Sequence, residues 1–399
     1  MEFQQDCMAN TVLIDGVRTP HGTLLGALAD VAAVELARTA IDGLLDRTSV
    51  PADEVEWVSL GNAIQAGIGQ VPGRQAVVES TLPNDTQTTT VNEASGSGVR
   101  AITLAADRIS AGRATFAIAG GFESMTNAPW ILPDYRKGRR YGDVTIRDSM
   151  ILDSLWDVNL DVHMGEIAER LVDRHDDTYD LSREAQDRYA LESHKRAAAA
   201  IEAGDFDEEI VPVETPDGRV ERDGGPRPDS TMDDLASLPS AFRDDGTVTA
   251  ANASKLSDGA GVVLLAADAA AQEMGVDPMA ELVDYRIVYR DPDEFNEAVG
   301  DVVETVLTEN DLTVDDIGTC WINEAFAAQA VYVMERVGIP REKMNPRGGA
   351  IAFGHPIGAS GGMITAAMAH ELHAENLEYG LSGMSIGGGG AIMSLWRRR

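Results

Sequence analysis

The sequence predicts an α/β protein made of two related halves, with a long excursion inserted into the first. Three observations predict it. Short β-branched apolar runs alternate with segments whose apolar residues recur every three to four positions, the pattern of strands alternating with helices. A Gly/Ser turn, an Ala-rich helix and a glycine-ended strand occur in that order twice. Residues 127–257 break the pattern with prolines, clustered charge and long polar stretches.

The elements follow in order. Thr11–Asp15 is an apolar strand that ends before the turn Arg18-Thr19-Pro20. Val31–Leu45 has helical apolar spacing, Val55–Gly61 reads as a strand, and Thr88–Asn92 is extended. Val99–Ile109 is helical and Ala114–Gly121 is a strand. This alternation predicts a largely parallel sheet. In the excursion, Ser182–Ala203 is one helix with Ser182 placed to cap it, and Asp217–Ser240 reads as loop. Ala260–Ala266 returns to a buried strand. The repeat pairs Ser95-Gly96-Ser97-Gly98 with Gly358-Ala359-Ser360-Gly361, and the strand Ala117–Gly121 with Met384–Gly390. A duplicated βαβ-type unit with a pseudo-twofold core follows.

Length and charge set bounds. A chain of 399 residues exceeds one hydrophobic core, so two or three domains are expected. The formal net charge is −34, and only four of the 32 basic residues are lysines: Lys137, Lys195, Lys255 and Lys343. Acid spread evenly along the chain, with scarce lysine, reads as the surface of a halophile's protein; an acidic face for a basic partner is the alternative. Nucleic-acid binding is disfavoured, because neutralising phosphates needs a basic face. No stretch reaches the roughly 18 apolar residues of a membrane span. Met1–Asn10 lacks a secretory n-region and h-region, so a cytoplasmic protein is expected. Of the two cysteines, Cys7 falls in an N-terminus expected to fray and Cys320 in an apolar strand. Neither a disulfide framework nor Cys/His spacing for zinc is present, so no metal is expected.

Four segments carry a resemblance. Val91-Asn92-Glu93-Ala94-Ser95-Gly96-Ser97-Gly98 resembles the nucleophile motif of the thiolase family, with Ser95 at the position of its cysteine. Ile322-Asn323-Glu324-Ala325-Phe326 resembles its Asn-Glu-Ala-Phe motif. Gly348–Gly361 resembles its histidine motif around His355, and Ser385-Ile386-Gly387-Gly388-Gly389 its C-terminal Cys-Ile-Gly-Gly-Gly, again with serine for cysteine. Weaker matches at Gly120–Met125, His163-Met164-Gly165 and Gly246–Ser254 extend the resemblance from Arg18 to Gly390.

The resemblance implies the thiolase fold: two βαβαβαββ halves in a five-layered αβαβα sandwich, with a loop domain over acyl-CoA. The halves would be residues 9–126, completed by 258–276, and 277–399, with the loop domain at 127–257. It implies acyl transfer from acyl-CoA to the enzyme and then to the α-carbon of acetyl-CoA, or the reverse thiolysis. Coenzyme A and acyl-CoA are then substrates, and no permanently bound cofactor is expected. Ser95 would be the nucleophile; its other reading is a helix N-cap. A serine hydroxyl needs a base, and His355 is the candidate. Glycines 96 and 98 would let substrate and backbone approach closely.

Further roles carry over in the same way. Asn323 would order a water in one oxyanion hole, or else cap a turn. The backbone N–H groups of Ser95 and Gly387 would form a second oxyanion hole. Ser385 is a poor general base near neutral pH, so a histidine is the natural replacement. His175 and His194 read as surface residues; His21, His370 and His373 read as structural. His163 is either the proton-transfer partner or a CoA contact. As a partner it would parallel the Ser-His-His pattern of haloarchaeal β-ketothiolases.

Ser254, Arg227 and Met164 carry over as CoA contacts, with the Arg136–Arg140 cluster as a second source of cations and salt bridging as the alternative for both. The sequence departs from the family at Tyr289-Arg290-Asp291-Pro292-Asp293, which leaves acyl-chain length open. A homodimer or homotetramer is expected, with a small OB-fold, zinc-ribbon-type subunit as an additional candidate partner. Three functions stand: condensing β-ketothiolase, degradative thiolase, and non-catalytic CoA-binding scaffold.

Overall fold

The computed structural model describes residues 10–133 and 135–399; Cys7 lies outside the described residues. Strands β1 (Thr11–Arg18), β2 (Val55–Gly61), β3 (Gln87–Val91), β4 (Phe116–Ser124) and β5 (Ser257–Ala267) pair in the order β3-β2-β4-β5-β1. Strands β6 (Ala280–Tyr289), β7 (Ile317–Ile322), β8 (Tyr379–Ile386) and β9 (Gly390–Arg398) pair in the order β7-β8-β9-β6. The strands of the two halves join where β1 pairs with β6, at Val12–Glu281 and Leu13–Ala280.

The sheet is mixed, not largely parallel. β2 runs parallel to β3 and β4, and β7 parallel to β8, whereas β5 is antiparallel to both β1 and β4, and β9 to both β6 and β8. The connections explain this. β8 and β9 are joined by a tight glycine turn, which only an antiparallel pair can use. β4 and β5 are joined by the excursion, which leaves the end of β4 and re-enters beside it.

Helices α1 (Ala33–Arg47), α2 (Pro72–Glu79) and α3 (Ser97–Ser110) belong to the first half. The excursion carries α4 (Met164–His175) and α5 (Arg183–Ala203). The second half carries α6 (Phe295–Glu309), α7 (Ala327–Val337) and α8 (Ser360–Ala374). β5 shows how the layers arise. Its Ala260, Val262 and Leu264 join Leu36, Ile41 and Leu44 of α1 in an outer core, while Val263 and Leu265 face Ile102, Ile109, Ala366 and Leu372 of α3 and α8 in a central core. Strand alternation sends successive side chains to opposite layers. A third core packs Val299, Val302 and Val306 of α6 on Leu381, Met393 and Leu395. Helices therefore lie outside both sheets and between them, giving the thiolase fold's layered sandwich.

In the excursion, Ser182 caps α5 by accepting from the Ala185 N–H. The segment expected to be loop holds structure: the hairpin Val213–Thr215 with Gly218–Val220, and a short helix Met232–Ala236 opened by a Thr231/Asp234 capping box. The helix is one turn long, too short for an apolar period to show in sequence.

The central helices touch at glycine. A Cβ on Gly98 would lie 2.9 Å from the Gly361 Cα, and one on Gly361 would lie 2.2 Å from the Val99 nitrogen. Ser97-Gly98 and Ser360-Gly361 open α3 and α8, so the repeated sequence is the helix contact itself. Gly361→Val is expected to cost about 3 kcal/mol by overpacking, read as a lower unfolding midpoint in denaturant. An unchanged midpoint would mean that the helices are free to separate.

Candidate active site

The helix contact sets one N-terminus against the other, and the site is built there. The turn before α3 is tight: Ala94 takes a left-handed φ of +48°. Ser97 locks it by donating from Oγ to the Ala94 carbonyl at 2.6 Å and accepting from the Glu93 N–H at 2.9 Å. A non-glycine residue held at positive φ by such bonds is stored strain, the kind that marks functional turns. Ser95, next in the chain, stays half-buried. Its Oγ lies 2.9 Å from His355 Nε2. It does not cap α3, whose N-cap is Gly96 without a side-chain bond. Gly96 serves packing rather than substrate approach, because a Cβ there would lie 2.5 Å from Ile386 Cγ1.

His355 follows Gly354, which has φ +117°, and is buried. Its N–H donates to the Lys255 carbonyl at 2.8 Å. Nδ1 lies 2.6 Å from Ser360 Oγ, which itself donates to the Pro356 carbonyl at 3.1 Å. With the Ser360 hydroxyl directed to Pro356, Ser360 Oγ accepts from the Nδ1–H of His355. The Nε2 lone pair then faces Ser95. Burial, helped by the nearby His21, lowers the His355 pKa to about 4, so the ring is neutral at physiological pH.

Other residues converge on the pair. Gly387 lies in the β8–β9 turn against Ala94: a Cβ on it would sit 3.5 Å from the Ala94 Cβ. The Arg290 N–H secures that turn by donating to the Gly389 carbonyl at 2.8 Å. Tyr289-Arg290-Asp291-Pro292-Asp293, where the sequence departs from the family, thus supports the glycine turn and does not line the main cavity. Ser385 is buried in β8, opposite Ala391 of β9. Asn323 is buried just after β7, and its Nδ2 finds no hydrogen-bond partner among the described residues. An orphan buried donor costs about 1–3 kcal/mol until water or a ligand accepts from it.

A cavity of about 750 Å³ opens onto His355 and is walled by the excursion. His163, Met164, Arg227 and Ser254 all line it. His163 caps α4 by accepting from the Gly165 N–H through Nδ1 at 3.1 Å, and its ring stacks on Phe242 at 4.7 Å. Burial lowers its pKa. It makes no hydrogen bond to Ser95 or His355 among the described residues. Arg227 forms no ion pair among the described residues, in a chain with 66 acids. Arg136, Lys137, Arg139 and Arg140 are exposed and stand outside the cavity lining.

These matches in sequence and geometry extend along the whole chain. The thiolase N-terminal domain profile matches residues 11–269, and the C-terminal domain profile matches residues 276–398. The chain belongs to the thiolase family. It is 40% identical to an acetyl-CoA acetyltransferase of Cupriavidus necator over 98% of this chain and 100% of that one. It is 39% identical to a probable acetyl-CoA acyltransferase of Staphylococcus epidermidis over 97% and 98% of the two chains. The crystal structure of the Bacillus anthracis acetyl-CoA acetyltransferase superposes with a TM-score of 0.95 at 36% identity, covering 99% of this chain and 100% of that one. Human mitochondrial 3-ketoacyl-CoA thiolase, solved in complex with CoA, superposes at 0.94 with 33% identity over 98% and 99%. This thiolase is accordingly an acyltransferase enzyme.

Two histidines of the thiolase are not where the sequence put them. His194 is buried, not on the surface: Nδ1 accepts from the Arg227 N–H at 3.1 Å, and burial with Lys255 and Arg227 nearby lowers its pKa to about 3. It lies on the inward face of α5 beside Ala190, Leu191 and Ala197, a face that polar Gln186, Asp187 and Ser193 hide from a hydrophobic period. His175 is half-buried, 3.3 Å from Glu297 and packed on Tyr332. Lys255 went unnoticed in the sequence, although its scarcity and its place in Ala253-Ser254-Lys255 were the available signals.

Two measurements check the geometry. Ser360→Ala leaves Nδ1 without its partner and should lower turnover about 10²-fold at unchanged CoA affinity, less than the ~10⁴-fold that a wrong imidazole tautomer costs a Ser-His site. The His355 pKa is lowered, so its imidazole signal in histidine-labelled protein should stay in the neutral position down to pH 5. An ordinary imidazole, with a pKa of about 6.5, would have titrated well above that.

Proposed function

We propose that this thiolase is a β-ketothiolase that works through an acyl ester on Ser95. The carrying observation is the Ser95 Oγ–His355 Nε2 contact of 2.9 Å, with Nδ1 tied to Ser360. The Ser95 oxygen attacks the thioester carbonyl while its proton passes to Nε2. The carbonyl oxygen is met by the N–H groups of Ser95 and Gly387, worth about 3–4 kcal/mol per donor in comparable sites. The C–S bond breaks and His355 returns the proton to the CoA sulfur. The α-carbon of acetyl-CoA, once deprotonated, attacks the Ser95 ester carbonyl; the carbonyl–Oγ bond breaks, the proton taken up by His355 returns to Ser95, and a 3-ketoacyl-CoA forms. His355, neutral again, is the base within reach for the α-proton; Asn323 Nδ2 supplies a donor for the enolate through water. Thiolysis runs the same steps backward.

Residues 127–257 act as the cover over CoA. His163, Met164 and Ser254 form its acyl and pantetheine wall, with His163 a contact rather than the second base, since Nδ1 is already spent on the α4 cap. Arg227, cationic and unpaired, offsets the repulsion between an anionic substrate and a protein at −34. Among the described residues no helix is long and apolar enough to cross a membrane. We place the protein in the cytoplasm as a homodimer or homotetramer, condensing short acyl-CoA for polyhydroxyalkanoate or lipid precursors. Serine at both 95 and 385, where the family has cysteine, favours a second reading, a CoA-binding scaffold without turnover.

The readings separate in one assay: acetoacetyl-CoA formation or cleavage, followed by its Mg²⁺-enolate absorbance in high salt. Ser95→Ala should lose about 10³-fold or more, and Ser95→Cys should retain measurable turnover. A Ser95→Ala protein as active as the wild type would sink the acyl-serine mechanism.

A further inference from the structure

Lys255 is joined to the site at three points. Its carbonyl accepts the His355 N–H at 2.8 Å. Its Nζ donates to the Gly225 carbonyl at 2.5 Å and to the Ala352 carbonyl at 3.0 Å. Gly225 belongs to the run Gly224-Gly225-Pro226-Arg227, which brings Arg227 to the cavity wall. Ala352 belongs to the short helix Ala350–Phe353 that runs directly into His355. The two segments lie in contact, because a Cβ on Gly225, which has φ +107°, would stand 2.6 Å from the Ala352 oxygen.

An ammonium is a costly way to join two carbonyls here. Lys255 is largely withdrawn from solvent, has no carboxylate partner among the described residues and shares its corner with Arg227. Burial and that guanidinium lower its pKa to about 7. A neutral donor would avoid the desolvation. Lysine supplies what a neutral side chain lacks: reach to both segments and a charge felt across the cavity.

We propose that Lys255 is a positioning residue that couples occupancy of the CoA loop at Gly224–Arg227 to the placement of the His355 imidazole. A CoA molecule that draws Arg227 and Gly225 toward the cavity pulls on the same amine that holds Ala352. The inference rests on the acyl-transfer reading for its effect on rate, but not for the coupling itself.

The test uses the full-length protein with Lys255→Met and Lys255→Arg. Three quantities are measured: the CoA dissociation constant, the first-turnover release of thiol from acetyl-CoA, and the His355 imidazole resonance with and without CoA. Lys255→Met should slow first turnover at least about tenfold, in line with the ~10²-fold penalty of a 1 Å misplacement, while CoA affinity changes less than about threefold. CoA should shift the His355 resonance in the wild type and in Lys255→Arg, and not in Lys255→Met. A rate loss matched entirely by lost affinity would overturn the coupling, as would a CoA-induced shift that survives in Lys255→Met. A Met variant that does not fold leaves the Arg variant to decide: a CoA-induced shift equal to the wild type's supports the coupling, and its absence overturns it. A wild type that binds CoA and shows the shift, yet releases no thiol, would refute acyl transfer and leave the coupling supported.

Discussion

The contact between α3 and α8 at Gly98 and Gly361 governs the rest of the structure. Two helices can start side by side only where neither carries a Cβ at the crossing. Ser95 ends the turn into α3, and His355 and Ser360 frame the turn into α8. When the two helix N-termini are pressed together, Ser95, His355 and the Ser360 hydroxyl meet. Both macrodipoles then present positive ends to one point, where the proposed mechanism develops negative charge on the serine oxygen. The duplication of the fold is therefore the mechanical origin of the site.

A serine nucleophile asks more of that arrangement than a thiol would. A thiol ionises within reach of neutral pH, whereas a hydroxyl must surrender its proton during attack. The base must then be neutral and correctly tautomeric, and aligned before substrate arrives. Burial keeps the His355 ring neutral, Ser360 fixes its proton on Nδ1, and the Lys255 carbonyl holds its backbone. The ring gives up basicity in exchange for being ready at any physiological pH.

Charge is arranged against the bulk composition. Elsewhere arginines are spent in forks on carboxylates, as with Arg18 on Asp223 and Glu209, or Arg174 on Asp293 and Glu297. At the cavity Arg227 and Lys255 have no acidic partner among the described residues, and His194 beside them is held neutral. An anion-attracting mouth survives on a chain at −34 because carboxylates are kept out of one corner, not because cations are added.

Sequence alone determined the five strands of the first half, helices α1, α3, α5 and α8, the repeat and the four motifs, because each leaves a local trace: a period, a cap or a run of small residues. The Ser182 cap and the buried Cys320 strand were legible for that reason. Strand direction was not, because parallel and antiparallel strands read alike until the connection is seen to re-enter. The one-turn helix at Met232–Ala236 is too short to leave a period. The depth of His194 and the three contacts of Lys255 were out of reach for another reason. Each depends on partners dozens to hundreds of residues away, and proximity of that kind exists only once the layers have packed.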